Sequence, residues 1–81
     1  MTNEHGHSGA VFAAIAEASR LPLHKNCRPV VYSGTLTMTG GTHTGILYQR
    51  NELQVGDAPV IETYPENIRD ARIVWVAEVE R

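Results

Sequence analysis

The chain has 81 residues, a formal net charge of −2 and a single cysteine. That length makes one domain with a small core, and one cysteine excludes an internal disulfide framework. The slight negative charge gives no general attraction to nucleic acid, so a nucleic-acid site requires basic residues gathered on one face. No apolar run is long enough to cross a bilayer, and the polar start, Met1 to His5, lacks a signal-peptide pattern. These features predict a cytoplasmic protein with no membrane partner.

The chain begins with a polar segment, residues 1–8, that predicts a flexible arm before a single domain over residues 9–81. Ser8 is a suitable N-cap for a following helix. The alanine-rich segment from Ala10 to Arg20 predicts that helix, and Pro22 ends it because proline cannot continue the helical hydrogen bonds.

A polar loop from Lys25 to Arg28 is expected next, followed by a strand from Val30 to Thr39 with alternating aliphatic and threonine side chains. Gly34 inside that strand predicts a bulge or a sharp bend. The pair Gly40-Gly41 predicts a tight hairpin turn, because both glycines accept positive φ. The return strand is expected from Thr42 to Arg50.

Three further strands are predicted, a brief one from Leu53 to Val55, one from Val60 to Tyr64, and a last one around Trp75. The last strand is apolar on both faces at its centre, which requires protein on both sides of it. One face carries Ile73, Trp75, Ala77 and Val79, and the other carries Val74 and Val76. The sequence therefore predicts a mainly β (α+β) fold, with one N-terminal helix followed by about five bent antiparallel strands in a small open barrel.

Two stretches of the chain resemble the sequence motifs of the Sm and Sm-like (LSm) family. Leu36 to Leu47 is similar to the first motif, and Ile68 to Val76 matches the second at its aliphatic and arginine positions. The chain departs from the family in three ways. Asp70 stands where the family prefers glycine, Arg72 replaces a small polar residue, and the polar loop Tyr48 to Glu52 is shorter than usual.

The resemblance implies a ring of identical copies that binds single-stranded RNA and is not an enzyme. In that family a polar-loop asparagine and the arginine of the second motif hold an RNA base near the pore. Carried onto this sequence, the roles fall to Arg69 and to Asn51 with Arg50, and Tyr48 is the best candidate for base stacking. The other interpretation of Arg69 is a structural salt bridge to Glu66 or Asp70.

Two other classes of function are open at this point. A small protein-binding module, such as an inhibitor or an accessory factor of a phage or another mobile element, fits the small size, the mild acidity and the lack of catalytic machinery. An enzyme has only scattered carboxylates and His43 in its favour, and no serine, cysteine or aspartate stands at a spacing that implies a triad with that histidine.

Metal and cofactor motifs are weak throughout the chain. Four residues, His5, His7, His24 and Cys27, are of the types that zinc prefers, but their spacing matches no common zinc pattern. The pair Gly40-Gly41 lacks the lysine and the helix of a phosphate loop. The sequence therefore predicts no metal and no cofactor.

Overall fold

The computed structural model describes residues 9–59 and 66–78. Helix α1 and strands β1, β2 and β3 span, in that order, Gly9–Ala18, Cys27–Leu36, Thr42–Arg50 and Ile68–Val76. One helix followed by antiparallel strands confirms the mainly β class. The predicted arm (residues 1–8) and the predicted strand from Val60 to Tyr64 lie outside the described residues.

The three strands of the described segments form one open antiparallel sheet in the order β2-β1-β3. The first strand is therefore central, and the last strand lies beside it. Val30 and Val31, at neighbouring positions of β1, are both 0% exposed. Because successive side chains of a strand point to opposite faces, protein covers both faces of the sheet at its centre.

Helix α1 packs mainly against β1 and β2. Its buried residues are Val11 and Ala18, and the amide of Leu21 closes the last turn by donating to the carbonyl of Ala18 at 3.0 Å. Pro22 follows, so the predicted end of the helix agrees with the structure to within two residues. Among residues 9–59 and 66–78, no helix is both long and apolar enough to cross a membrane.

Strand β1 begins and ends three residues earlier than the sequence predicts. Cys27 pairs with Arg50 and Arg28 pairs with Gln49, so the predicted loop over these two residues is wrong. The strand ends at Leu36 because its carbonyl accepts the amide of Gly40 at 2.8 Å, which begins the turn. Residues 37–39 lie in that turn, and Met38 is accordingly 89% exposed, contrary to the predicted half-buried strand.

The hairpin itself forms where the sequence places it. Gly40 has φ of 77°, a left-handed conformation that costs glycine nothing, and β2 runs from Thr42 to Arg50 as predicted. Gly45 lies opposite Tyr32, and a Cβ at Gly45 would meet the Tyr32 ring at 2.6 Å. The interior glycine thus makes room for a tyrosine ring on the neighbouring strand.

The predicted strand from Leu53 to Val55 is wrong, since this segment is irregular. It leads instead to the outer edge of β3. There the Gly56 amide donates to the Ile73 carbonyl and the Ile73 amide donates to the Asp57 carbonyl, both at 2.8 Å. These two hydrogen bonds cover the outer edge of β3 at Ile73.

Strand β3 pairs with β1 through two register shifts, one between Val31 and Tyr32 and one between Ser33 and Thr35. The second is the irregularity predicted from Gly34. Ser33 pairs with Arg72 and Thr35 with Arg69, so Gly34 alone stands opposite two residues of β3. This is a β-bulge with one extra residue in β3.

The extra residue of the bulge is accommodated by an unusual backbone conformation. Asp70 has φ of 56°, the only positive φ of a non-glycine residue in the described segments. Aspartate tolerates this region better than most residues. Further along β3, Ile73 is fully buried, while Val74, Trp75 and Val76 are half-buried. The two-sided burial predicted for β3 is therefore only partial, whereas β1 is the strand that is fully buried on both faces at its centre.

Replacing Gly34 by alanine should destabilise the fold. A Cβ there would lie 2.3 Å from Ile68 Cγ2, 3.1 Å from the Arg69 carbonyl oxygen and 3.2 Å from Ala71 Cα. Overpacking of this kind costs roughly 1–3 kcal/mol in the free energy of unfolding, measured by urea denaturation. Gly9→Ala is the matched control, because a Cβ on Gly9 meets nothing within 4 Å. Equal stability of the two variants would contradict the close approach of β3 to Gly34.

Candidate nucleic-acid interface

One end of the sheet, where β1 begins and β2 ends, gathers most of the residues that sequence reasoning selected. Cys27 pairs with Arg50 at this end, and the Asn51 amide donates to the Asn26 carbonyl at 3.2 Å. Between these segments lies an open surface pocket of about 620 Å³. It is lined by Asn26, Cys27, Arg50, Asn51 and Glu52, and is called the Asn51 pocket below.

Arg28 holds the base of this end together. Its guanidinium donates to the carbonyls of Leu53 at 2.8 Å and Ala77 at 3.2 Å, and also to that of Asn51. These bonds tie the start of β1 to the turn after β2 and to the segment after β3. All three acceptors are neutral carbonyls, and Arg28 forms no ion pair with a described carboxylate. Because no carboxylate of the described residues pairs with it, its positive charge contributes to the electrostatic potential at the Asn51 pocket.

Asn51 has one satisfied and one unsatisfied group. Its Nδ2 donates to the Lys25 carbonyl at 3.0 Å, which fixes the amide orientation because a carbonyl can only accept. Its Oδ1 is buried and has no hydrogen-bond partner in the described segments. A buried acceptor without a donor costs about 1–3 kcal/mol, so a ligand N–H that reaches this oxygen removes a penalty.

Tyr48 lies two residues before Arg50 on β2 and is held by two contacts. Its hydroxyl donates to the Pro22 carbonyl, and the His24 ring stands 4.8 Å from the Tyr48 ring, tilted by 56°. His24 is exposed and Tyr48 is half-buried. The stacking candidate is therefore an aromatic pair, of which His24 is the more accessible member.

Arg50 is available to a ligand despite its neighbour. Its side chain is 78% exposed, and its ion pair with the 71% exposed Glu52 spans 3.5 Å. Exposed pairs of this kind contribute little free energy, so exchange for another anion costs little.

Arg69 lies away from the other three predicted residues. It pairs with Thr35, whereas Arg50 pairs with Cys27, so eight positions of β1 separate them. At about 3.3 Å per residue this is roughly 26 Å along the strand. The fold thus groups Tyr48, Arg50 and Asn51 and leaves Arg69 at the opposite end. The alternative salt bridge from Arg69 to Glu66 or Asp70 is not formed.

Sequence reasoning missed Arg28 and the aromatic role of His24. The sequence predicts a loop at Arg28. In the structure Arg28 lies in β1, and its guanidinium donates to three carbonyls that are distant in sequence. No local pattern signals such a contact. From the sequence, His24 is a candidate only as a metal ligand together with Cys27. In residues 9–59 and 66–78 no group of three or more histidine, cysteine, aspartate or glutamate residues is placed to hold a metal ion, and His5 and His7 lie outside these residues.

His43, the residue considered as a general base, is engaged with a tyrosine. Its Nε2 and the Tyr32 hydroxyl share a hydrogen bond of 3.1 Å, and their ring centroids are 5.7 Å apart. Tyr32 is only 3% exposed, and burial raises the pKa of its phenol above the usual value of 10.0. The pair therefore stabilises the hairpin with a neutral tyrosine.

The stability of the chain should depend on Tyr32 at alkaline pH. With a raised pKa, Tyr32 keeps its proton in the folded state at a pH where the unfolded chain releases it. The free energy of unfolding should therefore fall as pH rises above about 10. Tyr32→Phe should cost about 1 kcal/mol at neutral pH and make this alkaline fall shallower. Urea unfolding at a series of pH values measures both effects, and an unchanged alkaline slope in Tyr32→Phe would exclude the role of this phenol.

Comparison of the chain with protein-family models, with curated proteins and with solved structures finds no match.

Proposed function

We propose that this chain is a non-enzymatic, Sm-like module that assembles into a ring of identical copies and binds single-stranded RNA at the Asn51 pocket. The observation that carries the proposal is the presence of Arg50 and Asn51 in one pocket, with Tyr48 two residues before Arg50 on β2 and the guanidinium of Arg28 bonded to the Asn51 carbonyl. Single-stranded RNA is bound by planar side chains that stack on bases and by cations along the backbone, and both are present here.

Each pocket residue has a defined role in this proposal. The Asn51 Oδ1 accepts an N–H from the edge of a base and so gains the donor it lacks. The His24–Tyr48 pair offers a ring for stacking, and Arg50 exchanges Glu52 for a phosphate. Each contact is modest in one copy, and a ring multiplies it through avidity.

The order of the strands supports an Sm-like barrel. The last strand lies beside the first, which is the pairing through which a bent sheet begins to close. Asp70, at the position where the family prefers glycine, adopts φ of 56°, the conformation that glycine takes without cost. Asp70 differs from the family's glycine in residue type but adopts a backbone conformation that glycine favours.

The edge of β2 supports assembly into a ring. Among residues 9–59 and 66–78, β2 pairs on one side only, with β1. From Thr42 to Gln49 this edge strand has no proline and no aspartate, glutamate, lysine or arginine, which are the usual means of preventing strand addition. A domain of this size also gains needed stability from burying surface against a neighbouring copy.

The mass of the protein in solution tests the ring. Native mass spectrometry or light scattering should give a closed multiple of the 8.9 kDa chain mass that does not grow with concentration. A strict 8.9 kDa monomer at high protein concentration would remove the ring from the proposal.

Two substitutions at the rim of the Asn51 pocket test the RNA site in opposite directions. Arg50→Ala should weaken binding of oligouridine and lower the slope of log affinity against log salt by about 0.7, the value for one single-strand phosphate contact. Glu52→Gln should strengthen binding, because it removes a carboxylate that competes for Arg50. Fluorescence anisotropy over a salt series measures both.

Arg20→Ala is the matched control, since Arg20 is an exposed arginine that does not line the pocket. It removes the same charge and should leave the salt slope close to that of the unsubstituted chain. If Arg50→Ala and Arg20→Ala bind oligouridine equally well, the Asn51 pocket is not the RNA site.

A further inference from the structure

The end of the sheet opposite the Asn51 pocket carries two rows of polar side chains that cross all three strands. In each row a β2 hydroxyl lies opposite a β1 hydroxyl, which lies opposite a β3 arginine. The rows are Thr44–Ser33–Arg72 and Thr42–Thr35–Arg69. Directly paired residues of neighbouring strands share a face, so the hydroxyls and both arginines face the same side of the sheet.

The bulge opposite Gly34 is what brings the two arginines together. Arg69 and Arg72 are three positions apart, and in a regular strand that odd spacing puts side chains on opposite faces. The extra residue between the Ser33–Arg72 and Thr35–Arg69 pairs restores them to one face. The fold sustains this arrangement with the left-handed backbone of Asp70 and with a glycine at 34 that has no room for a Cβ.

Within the described part of the chain, no carboxylate pairs with either arginine. Both arginines are exposed. Neighbouring rows on one face of a strand lie roughly 7 Å apart, so the two guanidinium groups repel each other. An oxyanion between them removes that repulsion and accepts charge-assisted hydrogen bonds from both.

We propose that Arg69 and Arg72, with the hydroxyls of Ser33 and Thr35, form a phosphate-binding surface. The ligand chemistry is a phosphate oxyanion, and its source is either the phosphodiester backbone of a single strand or a free phosphate. As a backbone site the surface rests on the proposed RNA function and extends it. It gives Arg69 a role in holding a phosphate at this end of the sheet, roughly 26 Å from the Asn51 pocket.

Trp75 provides a local reporter for this surface. It is the only tryptophan of the chain, and its pairing with Val31 puts it on the same face as Ser33 and Arg72. The first register shift, between Val31 and Tyr32, produces that alignment. Phosphate bound beside Arg72 should therefore change the fluorescence of Trp75.

The test compares Arg69→Ala/Arg72→Ala with Arg20→Glu, which changes the net charge by the same two units and leaves both the rows and the Asn51 pocket intact. Three probes are used, oligouridine of about 12 nucleotides, an abasic ribose-phosphate oligomer of the same length, and inorganic phosphate. The abasic oligomer offers phosphates without bases. We expect Arg69→Ala/Arg72→Ala to lose the Trp75 response to it and to lower the salt slope by about 1.4, two single-strand contacts. Arg20→Glu should keep the Trp75 response.

The outcomes separate this inference from the proposed function. If oligouridine binds and Arg69→Ala/Arg72→Ala keeps the Trp75 response and the salt slope of Arg20→Glu, the phosphate-binding surface is wrong and the Asn51 pocket stands. If the abasic oligomer binds as tightly as oligouridine and only the row arginines matter, the surface stands and base binding at the pocket is wrong. A response to inorganic phosphate alone identifies free phosphate as the ligand, and no response to any probe overturns both ideas. Circular dichroism confirms that each variant is folded.

Discussion

The structure depends on β1 being paired on both edges and buried on both faces. Its central residues have no exposed surface, and it is the only described strand with two strand neighbours. Every other element takes its position from this strand, since β2 and β3 hydrogen-bond to its edges and α1 packs on it. The guanidinium of Arg28 extends the same role beyond the sheet by binding three carbonyls of two separate segments.

The two ends of β1 consequently carry different chemistry. At its start, the pairing of Cys27 with Arg50 brings the loop before β1 against the turn after β2, and the Asn51 pocket forms between them. At its end, the bulge opposite Gly34 places Arg69 and Arg72 on the same face as the serine and threonine hydroxyls of the two rows. The net charge conceals both features, because a chain of −2 overall still holds Arg28, Arg69 and Arg72, which pair with no carboxylate of the described residues.

The bulge in β3 requires residues that weaken a strand locally, but it sets the direction in which Arg69 faces. An aspartate in the left-handed region and a glycine without space for a side chain both weaken a strand in isolation. Together they add one residue to β3, which reverses the facing of Arg69 relative to a regular strand. Such devices are common where a sheet must aim a particular side chain.

Some elements can be predicted from the sequence alone, because a proline or glycine within a few residues sets their limits. The helix ends before Pro22 because proline cannot continue it, and the hairpin forms at Gly40 because glycine accepts positive φ. The limits of β2 and the irregularity at Gly34 followed from the same kind of signal. Three features depend on the tertiary fold and could not be predicted from the sequence. They are the limits of β1, the irregular conformation of Leu53 to Val55, and the separation of Arg69 from Asn51. The physical reason is that the limits of a strand, and the residues that meet in one site, depend on which distant segment supplies the hydrogen-bond partners. The residues next to a position in the sequence do not identify that segment.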